Sequence, residues 1–261
     1  MFIQRHDARL LANSFGTGPM TLLALGGWTG SGEMWHDVFG HLPHWRCISY
    51  DHRGSGASSH QGRITVRAMV DDLIAVADTM QVGRCVLAAE SAGCGIALEA
   101  ALLAPERFAG LVLVGAAWQR PAPGSQDGFI RNLRANYSAT LRAFIDACLP
   151  EPQTEDLRRW GLQMLQKATP ENAIELIECR AELTVQEHLA RIKLPALLIH
   201  GSADVIVPPA SSQALAQLLP DAELHLLPGL GHVPLCTRPA LVAQLIESRF
   251  VNAEVKRACA V

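Results

Sequence analysis

The chain has 261 residues, 49% hydrophobic and 18% charged, with a formal net charge of −3. That length and apolar content suit one large α/β domain or two small ones and exclude a disordered chain. With no long run of one sign, neither nucleic acid nor an acidic membrane surface is expected as a partner.

Seven cysteines (Cys47, Cys85, Cys94, Cys148, Cys179, Cys236 and Cys259) form an odd set with no Cys-x-x-Cys pair. Several sit in apolar runs, where a thiol behaves as a small hydrophobe. The pattern points to a reducing compartment and argues against a disulfide framework or a zinc site. The first residues, MFIQRHDARLLANSF, lack the charged start and long apolar run of a leader. No segment reaches the roughly 18 apolar residues of a membrane span. The expectation is a soluble, cytoplasmic protein.

Along the chain, short apolar runs alternate with amphipathic stretches of helical length. Pieces around 2–5 and 9–14 read as an antiparallel hairpin. The strands that follow are MTLLAL (20–25), RCISY (46–50), RCVLAA (84–89), GLVLVGAA (110–117), ALLIHG (196–201) and ELHLLP (223–228). Their near-continuous hydrophobicity is what burial on both faces of a parallel sheet requires. Helices are predicted over 66–80, 92–104, 209–218 and 238–249, with Pro105 ending the second. The sum is an α/β fold: a mostly parallel eight-stranded sheet flanked by helices.

Residues 119–193 interrupt the alternation. The Pro/Gly-rich QRPAPGSQDG leads into three helical stretches, 127–148, 154–168 and 170–181, with no buried strand among them. This segment reads as a helical cap inserted between two sheet strands, leaving 1–118 and 194–261 as the core domain.

The run VLAAESAGCG (86–95) ends a buried strand on Glu90 and Ser91 and continues directly into a helix. Small residues at 89 and 93 permit a turn tight enough to expose the Ser91 hydroxyl, and bulk there would strike neighbouring backbone. The alternative is that Ser91 merely caps the helix, as serine often does. A serine nucleophile needs a histidine base, and the base needs a carboxylate. Of ten histidines, His232 in LPGLGHVP stands on a loop just past the last strand, shaped by Gly229, Gly231 and Pro234. His200 and His225 lie in apolar strands and read as structural. Asp204 in HGSADVIVPP follows a buried strand and so shares the carboxyl edge with Ser91 and His232. Its competitor Asp221 precedes its strand, at the opposite edge, and a turn-forming role is the alternative for Asp204. Backbone N–H groups of Trp28, after Gly26-Gly27, and of Ala92 are the candidate oxyanion-hole donors. Gly27, Trp28, Trp118, Phe129, Tyr137, Phe144, Trp160 and Leu230 are the candidate substrate-pocket residues. The same aromatic side chains could instead hold the cap helices to the core.

These motifs resemble those of the α/β-hydrolase fold superfamily over about residues 8 to 250. LGGWTGSGEMW is similar to its oxyanion loop, YDHRGSGASS to the turn after the next strand, and AESAG to its nucleophile elbow. HGSADVIVP is similar to the acid turn and PGLGHVP to the histidine loop. The resemblance implies a triad of Ser91, Asp204 and His232, and a structural turn at Asp51, Arg53 and Gly54. Gly26 stands where relatives usually carry histidine, which implies a looser oxyanion loop, and Ala89 stands where glycine is usual. Glu90 is either a structural partner in a salt bridge or hydrogen bond or a group that tunes His232 or meets a polar substrate.

The implied chemistry is acyl transfer on a small or medium carboxylic ester, with a small molecule as partner, no metal and no cofactor. A lactonase, thioesterase, perhydrolase or carbon–carbon bond hydrolase would use the same groups. From another class, a ligand-binding receptor could be built on the same scaffold. The expected state is a monomer or homodimer.

Overall fold

In the computed structural model, which describes the backbone of residues 1–258 and side chains through residue 251, the apolar runs join in one sheet. Cys259 lies outside those residues. The strands are β1 (Phe2–Gln4), β2 (Ala8–Phe15), β3 (Met20–Leu25), β4 (Trp45–Tyr50), β5 (Ser59–His60), β6 (Cys85–Glu90), β7 (Phe108–Val114), β8 (Ala196–Gly201) and β9 (Ala222–Leu227). They run side by side in the order β1-β2-β4-β3-β6-β7-β8-β9, with β5 paired to β2 off that path. The sheet therefore has nine strands, not eight. β5 is two residues long, too short to show the alternation by which a strand is read from sequence.

β1, β2 and β4 pair antiparallel, and every pairing from β4 to β9 is parallel. β3, β6, β7 and β8 are almost wholly enclosed, which explains their unbroken apolar sequence. Helices α1 (His36–Gly40), α2 (Val66–Thr79) and α3 (Gly93–Leu103) connect the first parallel strands. Four more, α4 (Asp127–Ala135), α5 (Tyr137–Cys148), α6 (Glu155–Leu165) and α7 (Pro170–Glu178), lie between β7 and β8. The expected single helix over 127–148 is two, because the Asn136 side chain accepts the Ala139 N–H at 3.0 Å and starts α5 afresh. α8 (Ala210–Leu218), α9 (Pro234–Thr237) and α10 (Pro239–Ala258) complete the chain. None of the described helices is long and apolar enough to cross a membrane.

Parallel pairing puts the carboxyl ends of β3, β6, β7, β8 and β9 along one edge. Leu25 pairs with Ala89, Glu90 with Val114, Val114 with Ile199, and Gly201 with Leu227. The loops carrying residues 26–35, Ser91, Asp204 and His232 all leave the sheet there.

The turn after β4 is fastened to that edge. Asp51 accepts the Gly32 N–H at 2.9 Å and the Ala57 N–H at 2.8 Å, tying the turn to the loop after β3. Arg53 is enclosed and faces Asp72 of α2 through two hydrogen bonds, Nε to Oδ2 at 2.7 Å and Nη2 to Oδ1 at 2.9 Å. Asp7 adds a third contact at 3.0 Å. Removing Asp72 would leave the buried Arg53 cation with only the more exposed Asp7. Asp72→Ala is expected to cost about 3–5 kcal/mol of stability, as a shift of the urea or guanidinium midpoint.

Candidate active site

Ser91 sits between β6 and α3 with φ at +50°, in the left-handed region that L-residues rarely occupy. Its N–H donates to Val114 O at 2.8 Å, and its carbonyl accepts the N–H groups of Cys94 (3.0 Å) and Ala117 (3.2 Å). Those bonds hold the turn from both sides. A Cβ at Gly93 would come 2.5 Å from Gly26 O, so the small residue after the serine is dictated by the close passage of the loop after β3.

His232 joins Ser91 to Asp204. Its Nε2 is 2.9 Å from Ser91 Oγ and its Nδ1 is 2.7 Å from Asp204 Oδ2. With a carboxylate at Nδ1, the proton of neutral imidazole belongs there, leaving the Nε2 lone pair to accept the Ser91 hydroxyl. The loop bearing His232 is secured by the end of α5: His232 N–H donates to Cys148 O at 2.9 Å, and Gly231 N–H to Glu151 Oε1 at 2.8 Å. β7 is followed directly by Gly115, at φ +57°, where a Cβ would approach the His232 ring to 3.3 Å.

Asp204 Oδ1 accepts the N–H groups of Ile206 (2.8 Å) and Val207 (3.0 Å). His200, read from sequence as structural, is a second partner, with Nε2 3.0 Å from Asp204 Oδ2. Its Nε2 also faces Val207 O at 2.9 Å, so it carries the proton, and Nδ1 accepts from Ser212 Oγ at 2.7 Å. Burial opposes ionisation of Asp204. Hydrogen bonds from His200 and His232, the charge of His232 and the Val207 N–H outweigh it and hold the carboxyl well below its usual range. Burial likewise opposes a charged His232, but the Asp204 hydrogen bond and the charges of Glu90 and Asp204 lift its pKa above 6.5.

Glu90 is nearly fully enclosed and has two partners. Its Oε2 accepts the Gly27 N–H at 3.0 Å, and its Oε1 is 3.3 Å from His232 Nε2. Burial pushes its carboxyl up to about 7, against the pull of His232 and the Gly27 N–H. Both sequence readings of Glu90 thus have a counterpart, a structural hydrogen bond and contact with His232.

The loop after β3 is tightly held. Gly27 O accepts the Gly30 N–H at 2.9 Å and faces His52 Nε2 at 3.3 Å. Trp28 Nε1 donates to Ala173 O of α7 at 2.8 Å. A Cβ at Gly26 would lie 2.6 Å from Gly30 O, so a histidine does not fit this loop. The looser loop expected from Gly26 is therefore corrected: Glu90, His52 and the glycine-only turn hold it. Among the described residues, the N–H groups of Trp28 and Ala92 donate to no protein acceptor.

Two cavities meet at Ser91 and share Trp28 and Phe144. One is a narrow, largely apolar slot of about 50 Å³ reaching Met34, Cys148, Trp160, Met164 and Val233, with Gly27, Glu90 and His232 at its mouth. The other is an open cleft of about 610 Å³ reaching Ala92, Phe129, Thr140 and Arg180. Trp28, Phe129 and Phe144 pack in tilted and edge-on contacts with ring centroids 5.0–5.8 Å apart, and Trp28 and Phe144 border both cavities. Three expected pocket residues lie elsewhere. Trp118 turns away from Ser91 and donates Nε1 to Ser211 O at 3.1 Å. Tyr137 faces a separate groove with Arg63 and Arg134, its hydroxyl on Ala168 O at 2.9 Å. Leu230 is packed in the core and lines neither cavity at Ser91. Sequence reasoning missed Met34, Cys148 and Val233, which carry no signal beyond ordinary hydrophobicity. It also missed Gly115, marked only by a glycine closing an apolar run. Among the described residues no cluster of three or more His, Cys, Asp or Glu could hold a metal ion.

The sequence profile of the alpha/beta hydrolase fold family matches residues 20–239. A protein described as a carbamate hydrolase, RutD, from Pseudomonas savastanoi pv. phaseolicola is 30% identical over 263 residues, covering 96% of each chain. A pimeloyl-[acyl-carrier protein] methyl ester esterase from Nitrosomonas europaea is 31% identical over 240 residues, covering 86% of this chain and 92% of its own. Among solved structures, an esterase from Exiguobacterium antarcticum shares the fold with a TM-score of 0.88 at 21% identity, covering 95% of this chain and 97% of that one.

The anions around His232 have a measurable consequence. Because negative charge favours imidazolium, the His232 ring should titrate above 6.5 in an NMR pH series. Glu90→Gln keeps an acceptor for Gly27 but removes a charge, so it should move that titration to lower pH.

Proposed function

The chain belongs to the alpha/beta hydrolase fold family and is a hydrolase, and from that premise we propose that it cleaves small or medium carboxylic esters by acyl transfer through Ser91, His232 and Asp204. The observation that carries the reading is one imidazole with Ser91 Oγ at 2.9 Å on one nitrogen and Asp204 at 2.7 Å on the other.

In this mechanism His232 Nε2 takes the Ser91 proton as Oγ attacks the ester carbonyl. The carbonyl oxygen becomes an oxyanion received by the free N–H groups of Trp28 and Ala92. Fixed dipoles of this kind need no reorganisation when charge develops, and the Gly27–Glu90 bond keeps the loop carrying Trp28 in place. Asp204 balances the imidazolium while His232 hands the proton to the departing alkoxide. Water then enters, gives its proton to His232 and releases the acid, regenerating Ser91. The chemistry calls for no metal or organic cofactor.

Residues 119–193 act as a cap on a core of 1–118 and 194–261. Contacts of α4, α5 and α7 with Trp28 and of α5 with the His232 loop support that role. The slot on one side of Ser91 takes the smaller apolar substituent of the ester, and the cleft takes the larger part. The relatives named for a carbamate and for a methyl ester share a carbonyl flanked by a heteroatom, the group this machinery attacks. The apolar setting of the six described cysteines, all free, fits a cytoplasmic location and a small-molecule substrate met there.

Ser91→Ala should lower turnover of p-nitrophenyl acetate by at least about three orders of magnitude, with the melting temperature nearly unchanged. Retained activity would rule the mechanism out. Activity of the native protein should fall as pH drops below the His232 pKa, because imidazolium cannot accept the Ser91 proton. Trp160→Ala, which opens the slot, should shift preference from methyl toward longer alkyl esters of one acid in a kcat/KM series.

A further inference from the structure

The cleft beside Ser91 has a single charged side chain in its lining, Arg180, just past the end of α7. Arg180 also borders the adjoining groove near Trp118, so it stands where the two openings meet. Its hydrogen-bond partners among the described residues are neutral. Nη2 makes two long hydrogen bonds to backbone carbonyls, Ala117 O at 3.3 Å and Gln119 O at 3.4 Å. Nε is buried and donates to nothing. Among the described residues no carboxylate lies within 4.0 Å of its nitrogens.

Arg53 shows how this fold treats an enclosed guanidinium when the role is structural: two aspartates neutralise it. The hydrogen bonds of Arg180 go only to neutral carbonyls. The nearby thiols of Cys94 and Cys179 are kept protonated by burial, and burial also holds the Arg180 pKa below its ordinary value. Arg180 is half-buried, with its Nε enclosed, and a partly desolvated cation of this kind gains from an arriving anion. Guanidinium pairs with carboxylate through parallel hydrogen bonds, a match that neutral donors cannot reproduce. The rest of the cleft contributes neutral hydrogen-bonding groups, Gln126, Asn132 and Thr140, and no acid that would repel an anion.

We propose that Arg180 is a specificity residue that receives a carboxylate carried by the substrate, so that the preferred substrates are half-esters of dicarboxylic acids. The assignment rests on the ester-hydrolase reading. Ser91 acylation breaks the bond between the carbonyl carbon and the alkoxy oxygen, and water completes the reaction to dicarboxylic acid and alcohol. The free carboxylate stays ionised at Arg180 throughout, while the slot holds a small alkoxy group such as methoxy.

Binding in the Ser91→Ala background separates this inference from hydrolysis itself. Calorimetry would compare monomethyl succinate, glutarate and adipate with their dimethyl esters. At least one half-ester should bind tenfold or more tightly than its neutral diester. Adding Arg180→Gln should erase that preference while leaving diester binding nearly unchanged. Arg180→Lys, which keeps the charge but not the fork, should retain a reduced preference. Equal affinity for half-ester and diester in the Ser91→Ala protein would overturn the proposal. So would an equal loss for both ligands in the Gln and Lys variants, as expected if Arg180 only props the loop at Ala117 and Gln119. Should the native enzyme turn over none of these esters, the ester reading fails while the binding comparison still decides the role of Arg180.

Discussion

Holding Ser91 at φ +50° costs on the order of 1–3 kcal/mol, and the neighbouring strands supply the restraint. Hydrogen bonds to Val114, Cys94 and Ala117 fix its peptide groups, and the register of β6 against β7 sets where those partners stand. Everything else at the site is arranged around that turn. Gly93 is small because the loop after β3 passes within reach of it, and that passage brings the Trp28 N–H to the vicinity of the hydroxyl. Relaxing the turn would separate the Ser91 hydroxyl from the imidazole and from the free N–H groups at once.

Glu90 shows how one buried group can serve two neighbours. It occupies the position just before the strained serine, so its side chain is carried between the β3 loop and His232. A buried carboxyl is costly unless hydrogen-bonded or paired, and the Gly27 N–H and His232 supply both kinds of partner. The same proximity couples its protonation to that of the imidazole. Glu90, His232 and Asp204 therefore titrate as a set rather than as three independent groups.

The inserted helices are connected to the chemistry through backbone groups as well as through side chains that line a pocket. Cys148 O holds the His232 N–H, Glu151 holds Gly231, and Ala173 O holds the Trp28 indole. Any rearrangement of α5 or α7 would be felt at both ends of the reacting constellation. Trp28 and Phe144 stand between a small apolar slot and a wide cleft that meet at Ser91. An asymmetric site of that kind distinguishes the two halves of an ester. In the cleft Arg180 is the one charged side chain, whereas the ionisable groups bordering the slot are Glu90 and His232 of the reacting constellation.

The longer strands, the elbow at Ser91, and the loops bearing Asp204 and His232 were all legible in the linear sequence, whereas the order of the strands in the sheet was not. Each depends on a local pattern: an apolar run long enough to be enclosed, then small or turn-forming residues at its carboxyl end. Because parallel strands share one edge, those local patterns suffice to gather Ser91, Asp204 and His232. β5 and the break at Asn136 escaped because two paired residues, or one capping side chain, leave almost no periodic trace. Packing alone decided that Trp118 and Tyr137 turn to Ser211 and Ala168, that His200 braces Asp204, and that Gly26 excludes a side chain. It also decided that Arg180 has no counter-ion within 4.0 Å among the described residues. Hydrophobic periodicity says which residues are enclosed, but the direction each side chain takes depends on helices and loops brought in from distant parts of the chain.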